Sequence, residues 1–267
     1  MTLNRIITYI AVSVSACLFA VLLLIALLYY GSPVERIPYK MAQRDDTLRI
    51  AYIGDSWAYI HHRNHQCLIP TFIGDQLQRP VKIYSYGLPG RTSKEIYEAM
   101  FEDEKLKQML QRNGLDYCIV SAGINDANKK MSVKYYQNSA DCIIRFLLQN
   151  HIRPVILEIP DYDIHKIYRW ERINRKLLRQ LSMFINNVPI NCKKYYREAL
   201  DELISKKDYR DKVSIIRYKS WNSNYEKDLK KLYLVDGVHL NEHGNHVLDS
   251  VIAKEIIKHI EDYDHRN

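Results

Sequence analysis

The feature that most constrains the fold is an alternation. From Leu48 onward, short β-rich runs give way repeatedly to longer stretches with apolar residues at helical spacing. Strand-like runs occupy residues 49–53, 81–84, 117–122, 155–159 and 213–218. Helical patterns cover about 67–78, 93–111, 133–150, 165–186 and 193–205, and a last one covers 242–261. Strand-then-helix repetition predicts a parallel sheet whose right-handed crossovers place helices on both faces. The central strands read as nearly continuous apolar runs, as a sheet buried on both sides requires. The expected fold class is α/β, three layers α/β/α around a five-stranded parallel sheet. A chain of 267 residues at 47% hydrophobic composition is long enough for one such core.

Ahead of it stands a segment of another kind. Residues 6–30, "IITYIAVSVSACLFAVLLLIALLYY", carry no charge. A bilayer needs about 20 apolar residues in helix, so one transmembrane helix is expected before the sheet. No small-residue exit site marks it as a cleaved signal peptide. "VSAC" at 14–17 has the look of a lipoprotein box, but the apolar run continues well past Cys17. The expected organisation is a tail and anchor at 1–31, a polar linker at 32–47 and one domain at 48–267. Arg5 lies on one side of the span and Arg36, Lys40 and Arg44 on the other, so the Lys/Arg count does not orient it. The five-residue head is the easier end to keep inside. This gives a single-pass membrane protein with its domain outside the cytoplasm, on the periplasmic side of a bacterial inner membrane.

Composition excludes more than it assigns. The net charge of +8 fits a lysine-rich surface or an attraction to anionic lipid or glycan, and no nucleic-acid motif accompanies it. Cys67, Cys118, Cys142 and Cys192 have no metal-like spacing and read as small buried residues.

Ligands of an open parallel sheet bind beyond the carboxyl ends of its strands, and polar residues gather there. The first strand ends in Gly54-Asp55-Ser56. The second runs into "SYGLPGRTS", with Gly87 and Gly90, and the third ends in Gly123-Ile124-Asn125-Asp126. "VDGVHLNEHG" places Asp236 three residues before His239, ahead of the last helix. Singly, each could be a turn or a helix cap. In this order they form a set.

That set resembles the SGNH (GDSL-type) hydrolase superfamily over the whole of 48–267, with the glycine block its weakest part. The resemblance implies the flavodoxin-like three-layer fold and a serine esterase without metal or organic cofactor. It makes Ser56 the nucleophile, His239 the base and Asp236 the residue that orients the imidazole. The oxyanion hole would comprise the backbone N–H groups of Ser56 and Gly90 and the side-chain amide of Asn125. Gly90 is preferred to Gly87 because "PGRTS" is closer to the family's run. Asp55 and Asp126 read as residues that shape their turns. No Gly-x-Ser-x-Gly is present, so no α/β-hydrolase elbow is expected and the strand end itself must expose the serine. The expected substrate is an ester, an O-acyl or O-acetyl glycan by preference. A lysophospholipid is the nearest alternative, and O-acyl transfer or a non-catalytic glycan-binding scaffold would also suit this fold.

Three other patterns compete. His239-Leu-Asn-Glu242-His243 matches H-x-x-E-H, but the helix begins too late to carry both histidines on one face. His61, His62 and His65 read as solvated loop residues with no further ligand nearby. "HKIYRWERINRKLLRQL" reads as a basic amphipathic helix packing its apolar side on the core, with contact to anionic lipid or polymer as the alternative.

Overall fold

A computed structural model describes residues 3–30, 33–39, 46–64, 67–168, 171–206 and 209–264. Helix α1 (Leu3–Tyr30) takes up the uncharged run; its window Asn4–Ala26 is long and apolar enough to cross a membrane, and none of it is buried. The sheet then begins with β1 (Leu48–Gly54), which leads into helices α2 (Ser56–Asn64) and α3 (Ile69–Leu77) and returns as β2 (Val81–Gly87). Helices α4 (Ser93–Glu102) and α5 (Glu104–Arg112) lead to β3 (Tyr117–Ser121), and α6 (Ile124–Lys129) and α7 (Val133–Gln149) lead to β4 (Arg153–Leu157). A longer excursion of α8 (Ile164–Tyr168), α9 (Ile173–Asn186) and α10 (Lys193–Ser205) precedes β5 (Ser214–Ile216). Helices α11 (Tyr225–Leu232) and α12 (Glu242–Asp264) follow.

All strand pairs are parallel, in the order β2-β1-β3-β4-β5. Helix α12 packs on α3 and β5, while α7 packs between α4 and α10, which gives the three expected layers. The two layers clamp β1 and β3, where Ile50, Ala51, Tyr52, Ile53, Cys118 and Ile119 are fully buried. Register levels three strand ends, since Gly54 pairs with Gly87 on one side and Ser121 on the other. The polar segments that follow therefore leave the sheet at one height.

Four local expectations are revised. The helix expected at 93–111 divides at Asp103, whose side chain accepts from the N–H groups of Lys105 and Leu106 and starts α5 afresh. Ser56 does not sit on a bare strand end but opens α2. Part of the expected linker is packed: the Arg36 N–H donates to Tyr97 Oη, and the Tyr39 ring meets Phe101 and Phe146. Residues 40–45 of that linker lie outside the described residues. Finally, α9 turns its polar side to the body, with Ser182 buried, and leaves Ile173, Leu177 and Leu178 exposed. The reason is a polar seat. Arg179 stacks on Tyr168 and pairs with Glu171, and Asn186 Nδ2 donates to the Lys130 carbonyl.

Candidate active site

The turn after β1 is fixed by close approach. Gly54 has φ +152°, and a Cβ there would stand 2.1 Å from the Ser121 carbonyl oxygen. The Asp55 N–H donates to that same oxygen, so β3 aims the chain as it leaves β1. Asp55 Oδ1 then accepts from the Trp57 N–H at 3.0 Å and caps α2. Burial pushes the Asp55 carboxyl up to about 7, against the pull of the Trp57 N–H. This is the turn-shaping role expected of it. Ser56 follows on the first turn, where backbone N–H groups have no partner within the helix.

The partner segment arrives from the far end of the sequence. Between α11 and α12 the chain doubles back through a bridge between Tyr233 and Leu240, and the Leu234 N–H donates to the His239 carbonyl at 2.8 Å. Tyr225 Oη donates to the Gly237 carbonyl at 2.7 Å. Within this closed turn Asp236 Oδ1 accepts from the N–H groups of Val238 and His239, and Oδ2 lies 2.6 Å from His239 Nδ1. Partial burial works to raise the Asp236 carboxyl, but the imidazole and the two N–H donors prevail and hold it at about 2. His239 Nε2 faces Ser56 Oγ at 2.8 Å across 183 positions of sequence. Hydroxyl, imidazole and carboxylate thus stand in one hydrogen-bonded line.

Two further segments border the line. Asn125, on the first turn of α6, donates through Nδ2 to the Arg91 carbonyl at 3.0 Å, which ties it to the loop containing Gly90. An Asn amide has a second N–H to offer. The two glycines of that loop differ. A Cβ on Gly87 would lie 2.2 Å from the Tyr59 nitrogen, so Gly87 lets α2 pack on β2. Gly90 has φ +78° and nothing within 4 Å of such a Cβ, so its backbone faces open space. Asp126 is turned away, accepting from Ser93 N–H and Oγ at 2.8 and 2.6 Å, and burial raises it to about 6.

The other histidines fall elsewhere. His243 and Glu242 are exposed on α12 while both ring nitrogens of His239 face Ser56 and Asp236, so H-x-x-E-H does not form a common face. His62 is exposed, and His65 lies outside the described residues. His61, expected in solvent, is buried on α2 with Nε2 2.6 Å from Asp249 Oδ1 of α12. Asp249 Oδ2 accepts from the Leu68 N–H, and Cys67 completes a group whose ligand atoms lie within 4.8 Å. Those residue types suit a metal ion, but both carboxylate oxygens are already engaged, and the contacts serve to join α2 to α12. Sequence gave no signal for Asp249, because its partner is 188 positions away.

The family model for GDSL-like lipase/acylhydrolases matches residues 50–251. The chain belongs to the GDSL-like lipase/acylhydrolase family. Its fold is that of a lipase/acylhydrolase from Enterococcus faecalis, at TM-score 0.55 and 15% identity over 79% of this chain and 96% of that one. A GDSL-like lipase from Parabacteroides merdae gives 0.54 and 15% over 83% and 100%. The psychrotrophic esterase EstA from Pseudoalteromonas sp. gives 0.54 and 14% over 81% and 100%. No curated protein matches the chain by sequence.

Proposed function

We propose that this GDSL-family chain is a serine acyl-ester hydrolase acting through Ser56, His239 and Asp236. The observation that carries the reading is the 2.8 Å contact between Ser56 Oγ and His239 Nε2, with Asp236 behind the ring. Ser56 attacks the ester carbonyl while Nε2 takes its proton. The tetrahedral oxyanion is met by the N–H groups of Ser56 and Gly90 and by Asn125 Nδ2, each such donor typically being worth about 2.7–4 kcal/mol in the transition state. The imidazolium returns the proton to the leaving alcohol, leaving an acyl-enzyme that water clears by the same route reversed. Asp236, held ionised well below neutral pH, keeps the Nδ1–H tautomer and balances the ring's charge.

For substrate, we favour an O-acyl group on a carbohydrate near a membrane to which α1 tethers the protein as a single uncleaved span. The length and apolarity of α1 and the basic balance of the chain support this. An ester of lipid is the second reading, favoured by the outward apolar side of α9. Full-length protein is assayed on acetyl, butyryl and long-chain esters and on O-acetylated polysaccharide, beside Ser56→Ala. Release of acetate from the polysaccharide with preference for two-carbon esters is the expected result. Preference for long chains transfers the assignment to lipid, and undiminished turnover by Ser56→Ala overturns the mechanism.

A further inference from the structure

We propose that α9 is a membrane-docking helix that lies on the surface of an anionic lipid bilayer. Amphipathic helices of globular proteins ordinarily turn their apolar stripe inward. Here the stripe faces out: Ile173 is 78% exposed, Leu177 60%, Leu178 56% and Phe184 85%. The inversion is held in place rather than loose, since Ser182, Arg179 and Asn186 anchor the opposite side to the body as described above.

Charge selects the occupant. The helix, INRKLLRQLSMFIN, contains no acidic residue; Lys176 stands exposed at one margin of the apolar stripe, and Arg172 and Arg175 stand exposed at the N-terminal end of the helix. Apolar side chains beside exposed cations match acyl chains beneath anionic headgroups. Next to the C-terminal end of α9 a groove of about 590 Å³, lined by Val133, Met183, Phe184, Val188 and Tyr195, extends the apolar surface.

Position agrees. Val133 opens α7, and Arg145 near the other end of α7 pairs with Glu35, a few residues beyond α1. Twelve helical residues span about 18 Å, which is the separation along α7 between the groove beside α9 and the segment that follows α1, and the residues between Tyr30 and Glu35 give the span further reach. The α8–α9 excursion also leaves from the carboxyl end of β4, the rim at which Ser56 and His239 meet. Val235, 99% exposed beside Asp236, adds an apolar point on that rim. Docking would hold the site close to the headgroups. The inference rests on the reading of α1 as a membrane span, and the test separates the two.

The full chain carrying Cys17→Ser, Cys67→Ser and Leu177→Cys is labelled with the environment-sensitive fluorophore NBD. It is then reconstituted into vesicles of phosphatidylcholine alone or of equal parts phosphatidylcholine and phosphatidylglycerol. A second protein carries the label at Lys258→Cys, exposed on α12 in the opposite layer. The expected result is a blue shift and brightening at 177 on the anionic vesicles. Both should fade at about 1 M salt, where the screening length is about 3 Å, with label 258 unchanged throughout. If the chain floats with the vesicles after alkaline washing while label 177 still reports water, α1 is a span and the docking proposal is overturned; that outcome would leave α9 to a protein partner. Equal shifts on both lipids, insensitive to salt, also overturn it. If the chain fails to float, the anchor reading falls. The anionic vesicles are then added to the detergent-free chain, and a shift at 177 supports docking while none overturns it.

Discussion

The corner where β1, β2 and β3 end and the excursion between β4 and β5 are built on opposite terms. At the corner each backbone segment is held by another. Ser121 fixes the path of Asp55, Asp55 caps α2, and the bridge of Tyr233 with Leu240 closes the turn bearing Asp236 and His239. In the excursion, α9 rests on a few polar contacts and gives its apolar residues to solvent. Groups that must meet within hydrogen-bond distance need a support that cannot shift, whereas a surface that meets lipid needs only area and charge. The first kind of region should punish small changes, and the second should tolerate large ones.

The largest effect is expected at the corner's chemistry. Ser56→Ala should lower kcat by roughly 10⁴-fold or more with unchanged melting temperature, as loss of a serine nucleophile does elsewhere. Retained activity would mean that the corner is only a structural junction. Next comes its support. Asp249→Ala leaves buried His61 and the Leu68 N–H without their acceptor and should cost on the order of 3 kcal/mol in urea unfolding. Of the two loop glycines, Gly87→Ala should destabilise strongly, because its Cβ would meet α2 backbone. Gly90→Ala should cost only about 1–2 kcal/mol for its left-handed backbone while depressing kcat. The reverse order would assign the oxyanion N–H to Gly87.

Acidity offers a subtler measure. The Asp55 carboxyl is raised by burial to about 7, so the folded state binds its proton more tightly than the unfolded chain does. That contribution is full below the ordinary carboxylate range and is lost as pH rises toward and through 7. Asp126, raised to about 6, acts in the same direction. Asp236 has the opposite sign, its contribution being present at neutral pH and lost as pH falls through about 2. Asp55→Asn keeps the acceptor for the Trp57 N–H, so it should flatten the decline in melting temperature between about pH 4 and 7. An unchanged profile would remove Asp55 as the cause. The smallest effect belongs to the excursion. Leu177→Asn should change stability by no more than about 0.5 kcal/mol, whereas Leu200→Ala in buried α10 should cost about 2–5 kcal/mol. A large loss for Leu177→Asn would show that α9 covers part of the core after all.

The same contrast explains what could be read from the chain. All five strands overlap the runs that indicate them; β1, β3 and β4 are the plainest, because strands buried on both faces have no polar alternation to confuse them. Ser56, Asn125, Asp236 and His239 stood out because they follow strand ends or precede a helix, and the sheet brings those points to one rim. Illegible from sequence were Asp249 as the partner of His61, a pairing made only by tertiary packing, and α2, whose composition of Trp, Tyr and His carries little helical signal. Periodicity reveals that α9 bears an apolar stripe without revealing which way the stripe points. Arg179 on Tyr168 decides that, and the pairing depends on the fold of α8.

The distance along the chain between Ser56 and His239 also sets a schedule. At roughly 5–20 residues per second of synthesis, the hydroxyl leaves the ribosome tens of seconds before the imidazole that touches it. Until α12 has closed over α3 and β5, the nascent chain holds the proposed nucleophile without its proposed proton acceptor. A chain acting as proposed therefore holds an unactivated serine until the segment bearing His239 has been translated and folded.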